Sequence, residues 1–285
     1  MSLQNLITFD KHNQHLIIVL LCCHVIWGLA LAGFGTIGQQ VNPATPWLSA
    51  GFLALQLYAA AQLLLPALLI QRENRTRGFY FFWFSVMILT LWLINQVPVV
   101  GVWQLPLIGI KSGLLLLLGT LIGTALARFV NRLWEIIPIC IAMALADFFS
   151  WLIGPTANFA EEIKQYYLAP VGPPPPIDMV LVKLAFPGAT SLVPVFGISD
   201  WIMVAFFVSV SRHYAINDNL LGLSGEVLAQ KKSRGRYLPV PVVALFTAVL
   251  LAQSTGLFIP VLPLIAVIML LWYATHYLRS RRSLN

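Results

Sequence analysis

The stretch Phe186-Pro187-Gly188-Ala189-Thr190-Ser191-Leu192-Val193-Pro194-Val195-Phe196-Gly197-Ile198-Ser199-Asp200-Trp201, followed by the apolar run 202–210, decides how this chain is read. It carries a carboxylate, Asp200, a few residues into a segment apolar enough for lipid. An ionisable group inside a membrane helix is expensive and usually marks a site of function. One other carboxylate lies comparably deep, Asp147, within Cys140-Ile141-Ala142-Met143-Ala144-Leu145-Ala146-Asp147-Phe148-Phe149-Ser150-Trp151. Two lone aspartates in lipid suggest a pair.

The lipid setting follows from composition. Of 285 residues, 59% are hydrophobic and 9% charged, and the mean hydropathy is +0.84. Such a chain is too apolar for a soluble domain and reads as an all-α polytopic membrane protein whose surroundings are the lipid bilayer. The net charge of +7 falls in short loops between apolar runs, so it is a topology signal and no nucleic-acid partner is expected. Cys22, Cys23 and Cys140 all lie inside apolar runs, which argues against a disulfide framework or a Cys-based zinc site. His24 and His276 stand alone at no ligand spacing. No metal and no cofactor is expected.

Runs of spanning length, about 20 residues each, occur at 16–38, 48–70, 79–98, 106–128, 132–154, 194–214, 238–258 and 260–278. They predict eight helices or nine. The first run follows no basic segment and is too long for a signal sequence, so it is read as retained. If the helices alternate, one face receives Lys11, Arg72, Arg75, Arg77, Arg128, Arg132, Arg212, Lys231, Lys232, Arg234, Arg236, Arg279, Arg281 and Arg282, fourteen of the seventeen basic residues. The positive-inside rule makes that face, and both termini, cytoplasmic. Glu135, beside Arg132, is expected in a surface ion pair, and Gly119 with Gly123 in close packing inside the bundle.

The opposite face receives two nearly charge-free loops and one long connection, 155–193. Within it, Pro173 to Pro176 should be extended as polyproline. Met179 to Phe186 is rich in strand formers and reads equally as a strand or as a re-entrant segment. Asp147, seven residues before Gly154, should lie roughly 10 Å deep, and Asp200, six residues after Pro194, roughly 9 Å deep on the same outer side. Carboxylates brought together there share one proton and titrate as a unit. Such a dyad can activate water against a peptide carbonyl. From composition alone a proton or cation relay in a transporter fits at least as well, because any intramembrane carboxylate is generic.

Three motifs narrow the choice. Lys183-Leu184-Ala185-Phe186-Pro187, then Gly197-Ile198-Ser199-Asp200 opening a helix that ends near Arg212, resembles the K-L-x-F-P segment and G-x-G-D helix of signal peptide peptidases. Asp147, followed by Phe148 to Gly154, resembles that family's aspartate in the preceding helix. Pro260-Val261-Leu262-Pro263 resembles the P-A-L element of presenilins. The likeness covers about residues 104–278. It departs from the family at Ala146, where a tyrosine is usual, at Ser199, where the second glycine stands, and at Val261 in place of alanine. The resemblance implies an intramembrane aspartyl endopeptidase acting on transmembrane or signal-peptide segments. Asp147 and Asp200 would be catalytic; Gly197, Ser199, Leu181, Val182, Lys183, Leu184, Pro260, Val261, Leu262 and Pro263 would line the substrate. Residues 1–103 would be N-terminal helices and 104–285 the catalytic core. Gly197 should allow another backbone to approach. The Met179–Phe186 strand should offer an open edge to an unwound substrate. The alternatives are a proton- or cation-coupled transporter and an inactive homologue that binds membrane proteins.

Overall fold

The computed structural model describes residues 11–41, 46–72, 77–97, 101–152, 154–169, 172, 174–231, 236–255 and 260–282. Its helices are α1 (Lys11–Gln40), α2 (Pro46–Gln62), α3 (Leu64–Arg72), α4 (Arg77–Gln96), α5 (Gln104–Ala127), α6 (Ile136–Leu152) and α7 (Pro155–Leu168). After them come strands β1 (Leu181–Leu184) and β2 (Val193–Gly197), then α8 (Ile198–His213), α9 (Gly225–Gln230), α10 (Val240–Thr255) and α11 (Val261–Arg282). Among the described residues six segments are long and apolar enough to cross a membrane: Ile17–Gln40, Pro46–Leu68, Arg77–Gln96, Gly101–Ala127, Leu133–Leu152 and Val261–Leu278. This is the build of an α-helical membrane protein. The second segment spans α2 and α3, which part at Leu63 because Pro66 has no amide to bond the Gln62 carbonyl and its ring crowds it.

The other two apolar runs are shorter than their sequence suggests. The run 194–214 opens as strand β2 and becomes helical only at Ile198, and the run 238–258 yields the 16-residue α10. Placing the helix start at Pro194 is therefore wrong. Pro194 sits inside a strand, and Asp200 is the third residue of its helix.

Helix α5 is the post around which the rest packs. It is apolar on all sides and buried over most of its length, between α1 on one flank and α8 on the other. Both crossings depend on missing side chains. A Cβ on Gly28 would lie 2.5 Å from the Gly109 carbonyl oxygen, and one on Gly113 2.3 Å from that of His24, so α1 and α5 touch backbone to backbone. On the other flank a Cβ on Gly123 would lie 2.4 Å from the Ile202 oxygen, and one on Gly119 3.1 Å from the Trp201 ring. The Gly119/Gly123 pair thus seats α8 within the bundle. Helices α4 and α6 stand outermost, with Phe81, Ile88, Trp92, Ile141, Phe149 and Leu152 exposed. That belt is what lipid tails would cover.

The connection after α6 is more ordered than a loop. It contains α7 and a 3-10 turn at Pro176–Val180, then β1 pairs antiparallel with β2, with a register shift between Val182 and Lys183. Pro175 is polyproline-like at φ −54, ψ 146, but Pro176 already begins the turn; Pro173 lies outside the described residues. Lys183 is buried and its Nζ meets Asp178 Oδ2 at 2.6 Å, while the Tyr167 hydroxyl donates to Asp178 Oδ1 at 2.9 Å. This latch ties α7 to the hairpin. Gly188, at φ +74, turns the chain after Pro187 and donates its amide to the Gly38 carbonyl at 2.8 Å, a conformation that glycine adopts without strain. Glu135 accepts the Asn131 backbone amide at 2.9 Å and is in no ion pair with Arg132 among the described residues, which corrects the expectation.

Candidate active site

Asp200 sits in the first turn of α8, 8% exposed, and its Oδ2 accepts the Gly197 amide at 2.9 Å. The first amides of a helix have no acceptor within it and favour a carboxylate there. The helix is held from behind. Trp201 is fully buried, donates its indole N–H to Thr120 Oγ1 at 2.9 Å and stacks on Phe196. Gly119, Gly123 and Thr120 of α5 therefore fix the height and rotation of the turn that carries Asp200.

Asp147 lies five residues before the end of α6 and is half-buried. Its Oδ2 accepts the Leu262 amide at 3.1 Å. The reason is again a helix start. Leu262 is the second residue of α11, so its N–H has no intrahelical acceptor, and Pro263 beside it has no N–H to compete. The Pro260–Pro263 element thus supplies one aimed hydrogen bond. Asp147 is within electrostatic reach of Asp200. Each carboxylate takes one backbone amide from a neighbouring segment. Among the described residues no hydrogen bond engages the other oxygen of either.

No family model, curated protein or solved structure matches this chain.

Three points at this site bear on the sequence expectations. Gly197 has ordinary extended dihedrals, φ −78 and ψ 158, and no other backbone crowds it. A Cβ there would sit 3.2 Å from Ser199 Oγ and 3.7 Å from Asp200 Oδ2, so the glycine keeps one face of the carboxyl uncovered. The second concerns β1. Val182, Lys183 and Leu184 are buried, and the edge away from β2 is occupied: the Lys183 amide donates to Ser112 Oγ at 3.1 Å and the Ala185 amide to Gln56 Oε1 at 2.8 Å. Gln56 returns its own Nε2 to the Ala185 carbonyl at 2.9 Å. Side chains of α5 and α2 therefore occupy that edge at Lys183 and Ala185, and the Lys183 ammonium is spent on Asp178. The third follows from it. Among the described residues the sheet has two strands, so the unpaired edge belongs to β2, and that strand ends at Gly197 beside Asp200.

Pro260, Val261, Leu262 and Pro263 are partly buried at the start of α11, beside Asp147, and Ser199 is exposed one residue before Asp200. The motif residues thus gather around the two carboxylates, apart from the β1 segment. Ser112, Gln56, Thr120 and Trp201 were missed by sequence reasoning. Their partners lie 71, 129 and 81 residues away. Only the glycine spacing on α5 pointed toward the Thr120 contact.

Proposed function

We propose that this chain is an intramembrane aspartyl protease that hydrolyses peptide bonds within transmembrane helices, signal-peptide or type II segments among them. What carries this reading is that Asp147 and Asp200, from two separate helices and within electrostatic reach of one another, each accept one backbone amide. The resemblance of the surrounding motifs to signal peptide peptidases points the same way. Carboxylates within electrostatic reach of one another favour sharing one proton. The ionised member takes a proton from a water whose oxygen attacks the peptide carbonyl carbon, while the protonated member gives its proton to the carbonyl oxygen. The gem-diol then collapses: the C–N bond breaks, the nitrogen takes a proton from the dyad, and an acid and an amine leave.

A helical substrate hides its peptide bonds in its own hydrogen bonds. The free edge of β2 can accept an unwound segment as an added strand and lead it past Gly197 to Asp200. In this reading eight segments cross the membrane. Strand β2 and α8 together make the sixth crossing, with the non-helical part lined by β1 and α5 as irregular backbone at that depth requires. Both termini are cytoplasmic, on the strength of the basic-residue distribution.

The test is cleavage of a reporter transmembrane peptide by purified protein in detergent. Asp147→Ala, Asp200→Ala and the double variant should be folded and equally inactive, because the members of a dyad act as one unit. Independent partial losses that add would favour a relay of separate carboxylates, as in a carrier. If neither the native chain nor Ser199→Gly cleaves, the chain is a silent homologue.

A further inference from the structure

At the end of α8 far from Asp200, a cavity of about 110 Å³ opens between the end of α3, the last turns of α8 and the loop that follows. Its walls include Leu68, Val208, Arg212, Asp218, Ser224 and Glu226. The polar groups there do not satisfy one another. Arg212, its side chain 15% exposed, reaches Glu226 through Nη2 at 3.4 Å, yet its Nε is buried and has no hydrogen-bond partner among the described residues. Asp218 is 4% exposed and is held by the Tyr237 hydroxyl at 3.2 Å; among the described residues Arg212 pairs with Glu226 and not with it. Ser224 precedes α9, and its side chain makes no capping bond. The cavity therefore presents a guanidinium N–H and a hydroxyl as donors, and a buried carboxylate as a separate acceptor.

A lone anion would meet Asp218 and Glu226, and a lone cation would meet Arg212. An occupant carrying both charges meets neither objection. We propose that this cavity binds a small zwitterion, a primary ammonium joined by a short linker to a phosphate as in phosphoethanolamine. The phosphate accepts from Arg212 Nε and Ser224 Oγ, and the ammonium donates to Asp218, holding it as the carboxylate. A trimethylated ammonium has no N–H for Asp218 and needs more room. Leu68 ends one membrane-crossing segment, so the cavity lies where bilayer meets water. The head can then belong to a phosphatidylethanolamine lipid or to the free compound.

Thermal unfolding and native mass spectrometry of the full chain test this, with phosphoethanolamine, phosphocholine, ethanolamine and inorganic phosphate as probes in detergent. A parallel arm compares nanodiscs of phosphatidylethanolamine with nanodiscs of phosphatidylcholine. The expected result is retention and a raised Tm with the ethanolamine phosphate alone; a response only in nanodiscs assigns the lipid, and a response in detergent assigns the free compound. Ser224→Ala leaves α9 without losing a cap and should weaken binding about tenfold, the loss of one charge-assisted hydrogen bond. Arg212→Gln should weaken it further, and Leu68→Trp should block it by filling the space. Equal response to phosphocholine, unchanged affinity in Ser224→Ala, or no binding in either arm overturns the proposal and leaves a cavity holding water.

Discussion

Asp147 is positioned by an amide that only a helix start can offer, and that dependence can be broken without moving the helix. Proline is tolerated in the first helical turn, so Leu262→Pro should fold with a Tm near that of the native chain while removing the hydrogen bond to Asp147. A hydrogen bond to a charged group is worth about 1.5–3 kcal/mol, so the reporter assay should show kcat lower by about tenfold or more. An unchanged kcat would mean that the amide is incidental. On the opposite side of the molecule, burial pushes the Asp218 carboxyl up to about 7 from an ordinary 3.8, with the Tyr237 hydroxyl pulling it partway back. Between those values the folded chain holds a proton that the unfolded chain has lost. Stability from this group is thus full below about pH 4 and falls as pH rises toward 7. Thermal unfolding in lipid-free detergent should show Tm declining across that window, less steeply in Asp218→Asn; identical slopes would refute the assignment. Sequence made the two membrane aspartates legible because an ionisable side chain in an apolar run has a cost that demands a reason. Leu262 and Gly197 were legible as site residues by their motifs, but not as amide donors to the aspartates, since neither has a side chain that announces an orphan N–H. Asp218 lay in a loop and gave no signal, because its burial is created by Tyr237 and α8.

Among elements, the seat of α8 on α5 is the contact on which Asp200 depends. Gly123→Ala places a methyl 2.4 Å from the Ile202 oxygen and 2.8 Å from the Ala205 Cβ, neither of which can yield without shifting α8. Overpacking of this kind costs about 1–3 kcal/mol, so Tm should fall and cleavage should fall with it. Gly33→Ala and Gly51→Ala meet nothing within 4 Å and should match the native chain in both. If Gly123→Ala is equally silent, the glycine pair does not set the position of α8. Helix identity was readable where a run was long and uniformly apolar, as in α1 or α5. It failed at 194–214, where Val193 to Gly197 is apolar enough to pass for helix while Pro194 and the pairing with β1 make it a strand. Helix α7 was missed for the opposite reason: with Glu161, Glu162 and Lys164 it is too polar and too short to register as a span. The edge of β1 could not be judged from its own residues, because Ser112 and Gln56 close it from other helices.

At the scale of the whole molecule, the open issue is whether β2 and α8 carry the chain across the bilayer. Helix α8 has 16 residues, about 24 Å at 1.5 Å each, which is short of a hydrocarbon core of about 30 Å. The five residues of β2 add about 16 Å at 3.3 Å each, so strand and helix together suffice. Two exposed positions bracket this crossing: Glu161 on α7 and Leu221 in the loop beyond α8. No α-helix other than the end of α7 and α8 lies between them among the described residues. With Cys22, Cys23 and Cys140 replaced by alanine, single cysteines at 161 and 221 can be challenged in sealed cells with a membrane-impermeant maleimide. The positive-inside rule applied to the basic residues near Arg212 to Arg236 predicts the second site inside, so Glu161→Cys should be labelled at once and Leu221→Cys only after permeabilisation. The reverse pattern would keep the crossing and invert the orientation, moving both carboxylates to the cytoplasmic side. Labelling of both sites from outside would remove the crossing itself. Asp200 would then lie in a re-entrant turn, and the β2 edge would face water instead of a substrate unwinding out of the bilayer.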